Sequence, residues 1–295
     1  MTACLPARSE AVMGTIVSIQ VVSGSCDAEG AIGDAFAWFH EIEARCTRFD
    51  EQSELMQLCA RVGEAVPASA ILFEAVQFAM AVAEETDGAF DPTVGHRIAA
   101  RGFDREHRTG RILASAVPVS ERPTWRDVHL DPDRRTIMLR CPMILDLGAV
   151  AKGLAVDAAA RELASFRDFA IDAGGDLYLG GLNPLGEPWT VGIRHPRRHG
   201  ELIDTLRVSN QAVCTSGDYE RGPHILDPRT EGTAQSVASA TVVAGGAMLA
   251  DALATAAFVL GPRDGIELLT RMGVDGLIVT PGMERYETRG VRGAA

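Results

Sequence analysis

The chain has 295 residues with 28 Lys and Arg against 40 Asp and Glu, a formal net charge of −12, and 46% hydrophobic residues. A composition so near the globular average excludes a disordered tail, a collagen-like fibre and a low-complexity array. The acidic balance argues against a nucleic-acid partner, whose phosphates require a surplus of Lys and Arg.

Residues 15–22 (TIVSIQVV) alternate and are rich in β-branched side chains, which predicts a strand; residues 1–12 read as loose. Helix spacing follows over residues 31–46, with Ile32, Phe36, Phe39 and Ile42 on one face. It recurs over residues 71–85 with Leu72, Val76, Ala79 and Ala83, stopping at Asp87-Gly88. The polar, Arg-rich stretch 97–126 reads as a solvated excursion. Residues 136–147 read as strands and 150–166 as a helix. Short strand-like runs follow at 169–171, 177–179, 189–193, 205–208, 212–214 and 236–244, separated by turn chemistry such as NPLGEP and HPRRHG. A helix over 247–260 ends at Gly261-Pro262. A shorter helix at 266–272, a strand at 277–280 and a loose tail from 286 complete the chain. Strands in groups with helices clustered elsewhere predict an α+β fold, antiparallel-rich sheets with flanking helices in a single domain whose core covers about 13–285.

No uncharged apolar run reaches the roughly 18 residues of a membrane helix, so no membrane insertion is expected. The N-terminus lacks a basic segment followed by an apolar one. Together with six scattered cysteines and no CxxC pair, this reads as a cytoplasmic protein with free thiols.

Five constellations could carry chemistry. Asp251 and Thr255 stand four apart on one helical face, a carboxylate and a hydroxyl of the kind that partly ligates Mg²⁺. The plainer explanation is a charge favoured near a helix N-terminus and a hydroxyl bonded back to a carbonyl. In Asp146-Leu-Gly-Ala-Val-Ala-Lys-Gly153 an apolar strand enters a small-residue turn with Lys152 near a helix start, which suits an anion cradle or an ordinary turn. Ile171-Asp-Ala-Gly-Gly-Asp176 and Gly88-Ala-Phe-Asp-Pro-Thr-Val-Gly95 admit close approach or simply turn. Around Cys214-Thr-Ser-Gly-Asp and His224 a nucleophile and base can be drawn, but the GxSxG elbow is missing and nothing lowers the thiol pKa.

In chain order, Met13-Gly-Thr, Arg48-Phe-Asp, Gly88–Gly95, Asp146–Gly153, Ala173-Gly-Gly-Asp176, Thr215-Ser-Gly-Asp-Tyr219, His224-Ile-Leu-Asp-Pro228 and Asp251–Thr255 resemble the ApbE-type FAD:protein FMN transferases over roughly residues 13–261. The resemblance implies a Mg²⁺-dependent enzyme of α+β fold that splits the FAD pyrophosphate, attaches FMN by a phosphoester to a Thr or Ser of an acceptor flavoprotein, and releases AMP. It implies metal ligation by Asp251, Thr255 and the carbonyl of Ala149. FAD contacts fall to Met13, Phe49, Ala89, Phe90, Asp91, Asp146, Lys152 and Leu226, and the base to His224. Two departures stand out: no exported-protein leader is visible, and the segment between Tyr219 and His224 is shorter than the hairpin usual there. An FAD pyrophosphatase giving free FMN and AMP, and a non-catalytic FAD-binding protein, are the competing readings.

Overall fold

The computed structural model describes residues 5–22, 27–104, 120, 122–218, 225–230 and 232–291. In chain order the elements are β1 (Ala7–Val12), β2 (Thr15–Val21), α1 (Ala28–Cys46), α2 (Glu54–Cys59), β3 (Val66–Pro67), α3 (Ala70–Glu85), α4 (Gly95–Ala99), β4 (Val128–Asp131), β5 (Thr136–Leu139) and α5 (Ala151–Glu162). They continue with β6 (Phe169–Ala173), β7 (Asp176–Gly180), β8 (Trp189–Arg194), β9 (Leu202–Val208), β10 (Gln211–Gly217), β11 (Ser239–Ala244), α6 (Ala247–Leu260), α7 (Pro262–Arg271), β12 (Asp275–Val279) and β13 (Arg285–Glu287). The class is α+β, as the grouping of strands and helices predicts.

Local chemistry accounts for the helix boundaries. Ser53 caps α2 by accepting from the Met56 amide at 3.1 Å, and Ser69 caps α3 from the Leu72 amide at 3.2 Å. The predicted faces of α1 and α3 are buried. Gly261 ends α6 at φ +91°, and Pro262 opens α7 as its first helical residue, where a missing N–H costs nothing.

An eight-stranded sheet runs in the order β1-β2-β6-β7-β10-β11-β12-β13, with every neighbouring pair antiparallel. Its central strands feed two cores. On β10, Ala212 and Cys214 face the helices while Val213 faces away; on β12, Ile278 faces the helices while Leu277 and Val279 face away. Helices α1, α5 and α6 cover one face, and Ile193, Leu206 and Val208 of the β8–β9 hairpin cover the other. Burial on both faces is why these strands read as continuous apolar runs. No described helix is long and apolar enough to cross a membrane.

Several expectations change. The tail read as loose from residue 286 begins inside β13, which pairs with β12, and the helix read at 266–272 runs instead from Pro262 to Arg271. Residues 7–12, read as loose, form the edge strand β1 paired with β2; Ala7, Arg8 and Ser9 are exposed, so no apolar alternation marks the strand. Of residues 136–147 only Thr136–Leu139 pairs in a ladder. Pro142 beyond it has no amide to donate, and Met143, Ile144, Leu145 and Leu147 are buried in chain that joins no ladder. The helix read over 150–166 stops at Glu162 and is followed by a 3₁₀ turn, Ala164–Phe166.

Helices α5 and α6 meet at Gly153. A Cβ there would lie 2.5 Å from Met248 Cα and 2.6 Å from the Ala247 oxygen, both backbone atoms. On a solvent-facing turn, Gly→Ala would stabilise by about 1 kcal/mol. Here Gly153→Ala should destabilise by about 1–3 kcal/mol through overpacking, read as a lower urea midpoint. A raised midpoint would contradict the close crossing.

Candidate functional site

The crossing sets the first turns of α5 and α6 side by side. Asp157 on α5 accepts hydrogen bonds from the first amides of α6, Ala247 at 2.6 Å and Met248 at 3.0 Å, satisfying donors that a helix start leaves open. With that duty taken by Asp157, Asp251 lies beyond the first turn of α6 and is 7% exposed. A helix-start charge therefore does not explain it. One turn on, Thr255 Oγ1 sits 3.1 Å from Ser216 Oγ near the end of β10.

Lys152, in the first turn of α5, bridges two buried carboxylates. Its Nζ pairs with Asp176 and lies 3.3 Å from Asp251 Oδ2. Asp176 is the first residue of β7 and follows a turn in which Gly174 holds φ +67°. The Thr15 side chain occupies the space a Cβ at Gly174 would take, which ties this turn to the β1–β2 hairpin. Two carboxylates against one ammonium leave the trio with a single negative charge.

Just before α5, the Leu147 oxygen accepts from the amides of Val150 (2.9 Å) and Ala151 (2.8 Å), and the Val150 oxygen accepts from Leu154 (2.9 Å). Between them the Ala149 carbonyl accepts no backbone hydrogen bond among the described residues. A carboxylate, a hydroxyl and a carbonyl without a backbone partner are each oxygen donors of the type Mg²⁺ accepts. Among the described residues no group of three His, Cys, Asp or Glu is placed to hold a metal ion.

The other predicted contacts are each fixed by bonds of their own. Met13 and Gly14 form the two-residue β1–β2 turn with φ of +52° and +71°. Positive φ is costly for Met, and its amide is held by Glu43 Oε1 at 2.9 Å. Asp146 accepts from Arg48 Nε at 2.7 Å and from the Gly148 amide at 2.8 Å. The Arg48 guanidinium lies 4.2 Å from the centre of the half-buried Phe49 ring, a cation–π contact, and donates to the Phe103 oxygen at 2.6 Å. The Asp146 amide donates to the Pro92 oxygen at 2.7 Å, which joins this strap to residues 88–95.

Asp91 there caps a 3₁₀ turn, Pro92–Val94. It accepts from the Thr93 amide and hydroxyl at 2.9 and 2.8 Å and from the Trp125 amide at 3.0 Å. Burial raises its pKa despite those bonds. Ala89 and Phe90 are both buried, and Phe90 packs into the helix-side core. Leu226 is buried and pairs with Thr233; its loop is clamped by Arg97, which donates to the carbonyls of Pro228 at 3.0 Å, Asp227 and Thr230. His224 lies outside the described residues. Sequence reading passes over Asp157 and Arg48, whose roles depend on partners 90 and 98 residues away, and leaves Asp176 as part of a glycine turn.

The thiol reading of Cys214 fails. The residue is fully buried with Sγ 3.6 Å from the Ala247 oxygen, and burial, with Asp251 nearby, pushes its pKa well above the ordinary thiol value. Cys46, Cys59, Cys141 and Cys214 are free thiols; Cys4 and Cys26 lie outside the described residues.

The ApbE family model matches residues 13–278 of the chain. A Treponema pallidum (strain Nichols) FAD:protein FMN transferase is 32% identical over 324 residues, covering 96% of this chain and 87% of that protein. The Rhodobacter capsulatus FAD:protein FMN transferase is 31% identical over 300 residues, covering 93% of this chain, which spans 55% of that protein's length. Among solved structures, the ApbE protein of Thermotoga maritima superposes with a TM-score of 0.87 at 31% identity, covering 99% of each chain. The flavin transferase ApbE of Vibrio cholerae superposes at 0.85 and 24% identity, covering 99% of this chain and 100% of its own.

Two predictions follow from burial. Burial holds the Cys46 thiol at about 12 and the Cys59 thiol at about 11, so among the four described cysteines iodoacetamide should label half-buried Cys141 first in native protein. Peptide mass mapping reads this, and early labelling of Cys214 would contradict the closed environment. Burial also raises the Asp157 carboxyl above its ordinary value of 3.8, against the opposing Met248 and Ala247 amides. The folded state then holds the proton more tightly, so this group's contribution to stability falls as pH rises from 3.8 through the raised value. The stability advantage of wild type over Asp157→Asn should therefore shrink between about pH 4 and about pH 7. Melting curves at the two pH values test it, and an advantage that grows would refute it.

Proposed function

Because this chain belongs to the ApbE family, we propose that it is a Mg²⁺-dependent FAD:protein FMN transferase acting on a Thr or Ser hydroxyl of an acceptor flavoprotein. The acceptor oxygen forms a bond to the FMN-side phosphorus, the pyrophosphate P–O bond to the AMP moiety breaks, and AMP leaves with that electron pair. The hydroxyl proton passes to a base, for which His224 is the candidate; an imidazole titrating near neutrality suits the task.

The observation that carries this reading is the Lys152–Asp176–Asp251 trio beside Thr255. A dianionic pyrophosphate needs positive charge in its site. Lys152 alone does not supply it, because its ammonium is already matched by two buried carboxylates. A divalent cation does: Mg²⁺ held by Asp251, Thr255 and the Ala149 carbonyl would neutralise charge developing on the phosphoryl oxygens. Phosphoryl transfer calls for no protein nucleophile, because positioning and charge neutralisation carry the chemistry.

Around the phosphates the chain's own groups position the substrate. The α5 start and Lys152 face the anion, and Arg48 fixes both Asp146 and the Phe49 ring. Phe49 and Met13 then bound the flavin side, while Ala89, Phe90 and Asp91, buried and internally bonded, would meet it through backbone. Leu226 stands on the loop that Arg97 clamps, directly after the segment bearing His224.

Mass spectrometry of a Thr-containing acceptor peptide after incubation with FAD and Mg²⁺ tests the proposal. The expected result is a mass gain equal to an FMN phosphoester, lost with chelator and with Asp251→Ala. Free FMN and AMP without an adduct would assign the chain as an FAD pyrophosphatase. Unchanged FAD would leave it a flavin-binding protein.

A further inference from the structure

We propose that Asp176 is a positioning residue for the cation site: it shares the Lys152 ammonium with Asp251, so that carboxylate is only partly paired and stays available to a divalent cation. This rests on the metal reading given above and adds to it a residue that does not itself touch the metal.

The geometry supplies the argument. Lys152 Nζ is shared: it pairs with Asp176 and lies 3.3 Å from Asp251 Oδ2. Both carboxylates are largely buried, with side-chain exposures of 8% and 10%, and the lysine is 17% exposed. An ammonium in such surroundings does not leave for solvent when one partner is lost; it moves to the other. Removing the charge at Asp176 would leave Asp251 as the sole carboxylate partner of Lys152, which then competes more strongly with Mg²⁺ for the same oxygens. The same change deletes one negative charge beside the cation. Both effects weaken metal binding.

The anion responds in the opposite sense. Without a divalent ion the trio carries one net negative charge, which repels a pyrophosphate. Neutralising Asp176 brings the trio to zero, so metal-free FAD binding should hold or tighten. A residue that merely supports the fold would weaken both ligands together.

Asp176 is placed for this task by the backbone. It opens β7 directly after the turn that Gly174 permits at φ +67° against Thr15, and Lys152 reaches it from the first turn of α5. The carboxylate is thus set by the sheet, and the ammonium by the helix pair whose second member carries Asp251.

The test measures Mn²⁺ binding by electron paramagnetic resonance and metal-free FAD binding by flavin fluorescence. The proteins are wild type, Asp251→Ala, Asp176→Asn, Lys152→Gln and the Asp176→Asn/Lys152→Gln double variant. Asp176→Asn should weaken Mn²⁺ about 10–100-fold, the usual range for outer partners of a metal ligand, and leave metal-free FAD affinity equal or higher. The same substitution should cost clearly less in the Lys152→Gln background, because no ammonium remains to compete; the cycle isolates that coupling from the direct charge effect. Asp176→Glu, which keeps the charge, should bind Mn²⁺ close to wild type, and it replaces the Asn variant if the latter does not fold.

An Mn²⁺ affinity unchanged by Asp176→Asn overturns the inference. So does an equal cost in both lysine backgrounds, or a parallel loss of Mn²⁺ and FAD. If wild type binds no Mn²⁺, or Asp251→Ala binds it undiminished, the metal reading itself fails and this inference with it.

Discussion

The close approach of α5 and α6 at Gly153 is the constraint on which the site depends. Two helix backbones can touch only where a side chain is missing, and here the missing Cβ would overlap Met248 Cα and the Ala247 oxygen. That contact lets Asp157 reach the first amides of α6. Its carboxylate replaces a local cap, which Gly246 cannot provide with a side chain. The same contact puts Lys152 within ion-pair distance of Asp251. Packing, capping and the charge cluster are therefore one arrangement, and a shift of α6 outward would disturb all three.

Electrostatics imposes a second constraint on top of the first. The chain carries a net charge of −12, and its central lysine is already balanced by buried carboxylates. The nearby acidic groups are committed in other ways: Asp91 to the Thr93 and Trp125 donors, Asp146 to Arg48 and Gly148, Asp157 to α6. On the proposed function, an anionic dinucleotide would meet a site in which positive charge has to be brought in. Oxygen donors from Asp251, Thr255 and Ala149 are what a hard divalent cation takes, and their small number leaves room for phosphate oxygens.

Legibility in the sequence followed the range of the interaction. Helix α6 is bounded as its pattern predicts, residues 247–260, because a periodic apolar face and Gly261 are local signals. The strands β10–β12 are visible as apolar runs, though not which of their residues face which core. Edge strand β1 is hidden, since its exposed residues carry no alternation. Among the site residues, Asp251, Thr255 and Lys152 announce themselves as polar groups in small-residue or apolar segments. The competing explanation for Asp251, a charge at a helix start, is settled only by finding Asp157 in that position from 90 residues away. Asp176 and Arg48 follow the same rule: each lies inside a noticeable motif, yet its partner is set by tertiary packing.

The flavin side of the site is constrained by the shortage of aromatic residues, 5% of the chain. Phe90 is 5% exposed and packs into the core, so its ring is occupied by the protein. Phe49 keeps part of its surface open while Arg48 covers one face at 4.2 Å. A guanidinium fixed by Asp146 and the Phe103 carbonyl holds that ring in one orientation, at less entropic cost than a free aromatic side chain on a loop. Met13 stands in a turn with both central residues at positive φ, a conformation the antiparallel pairing of Val12 with Thr15 imposes. Glu43 receives its amide, and Thr15 in the same hairpin seats Gly174 and thereby Asp176. The turn proposed to face the flavin and the charge cluster are in this way braced against each other through one hairpin. A single rigid element would then set the distance between where an isoalloxazine stacks and where its pyrophosphate is neutralised.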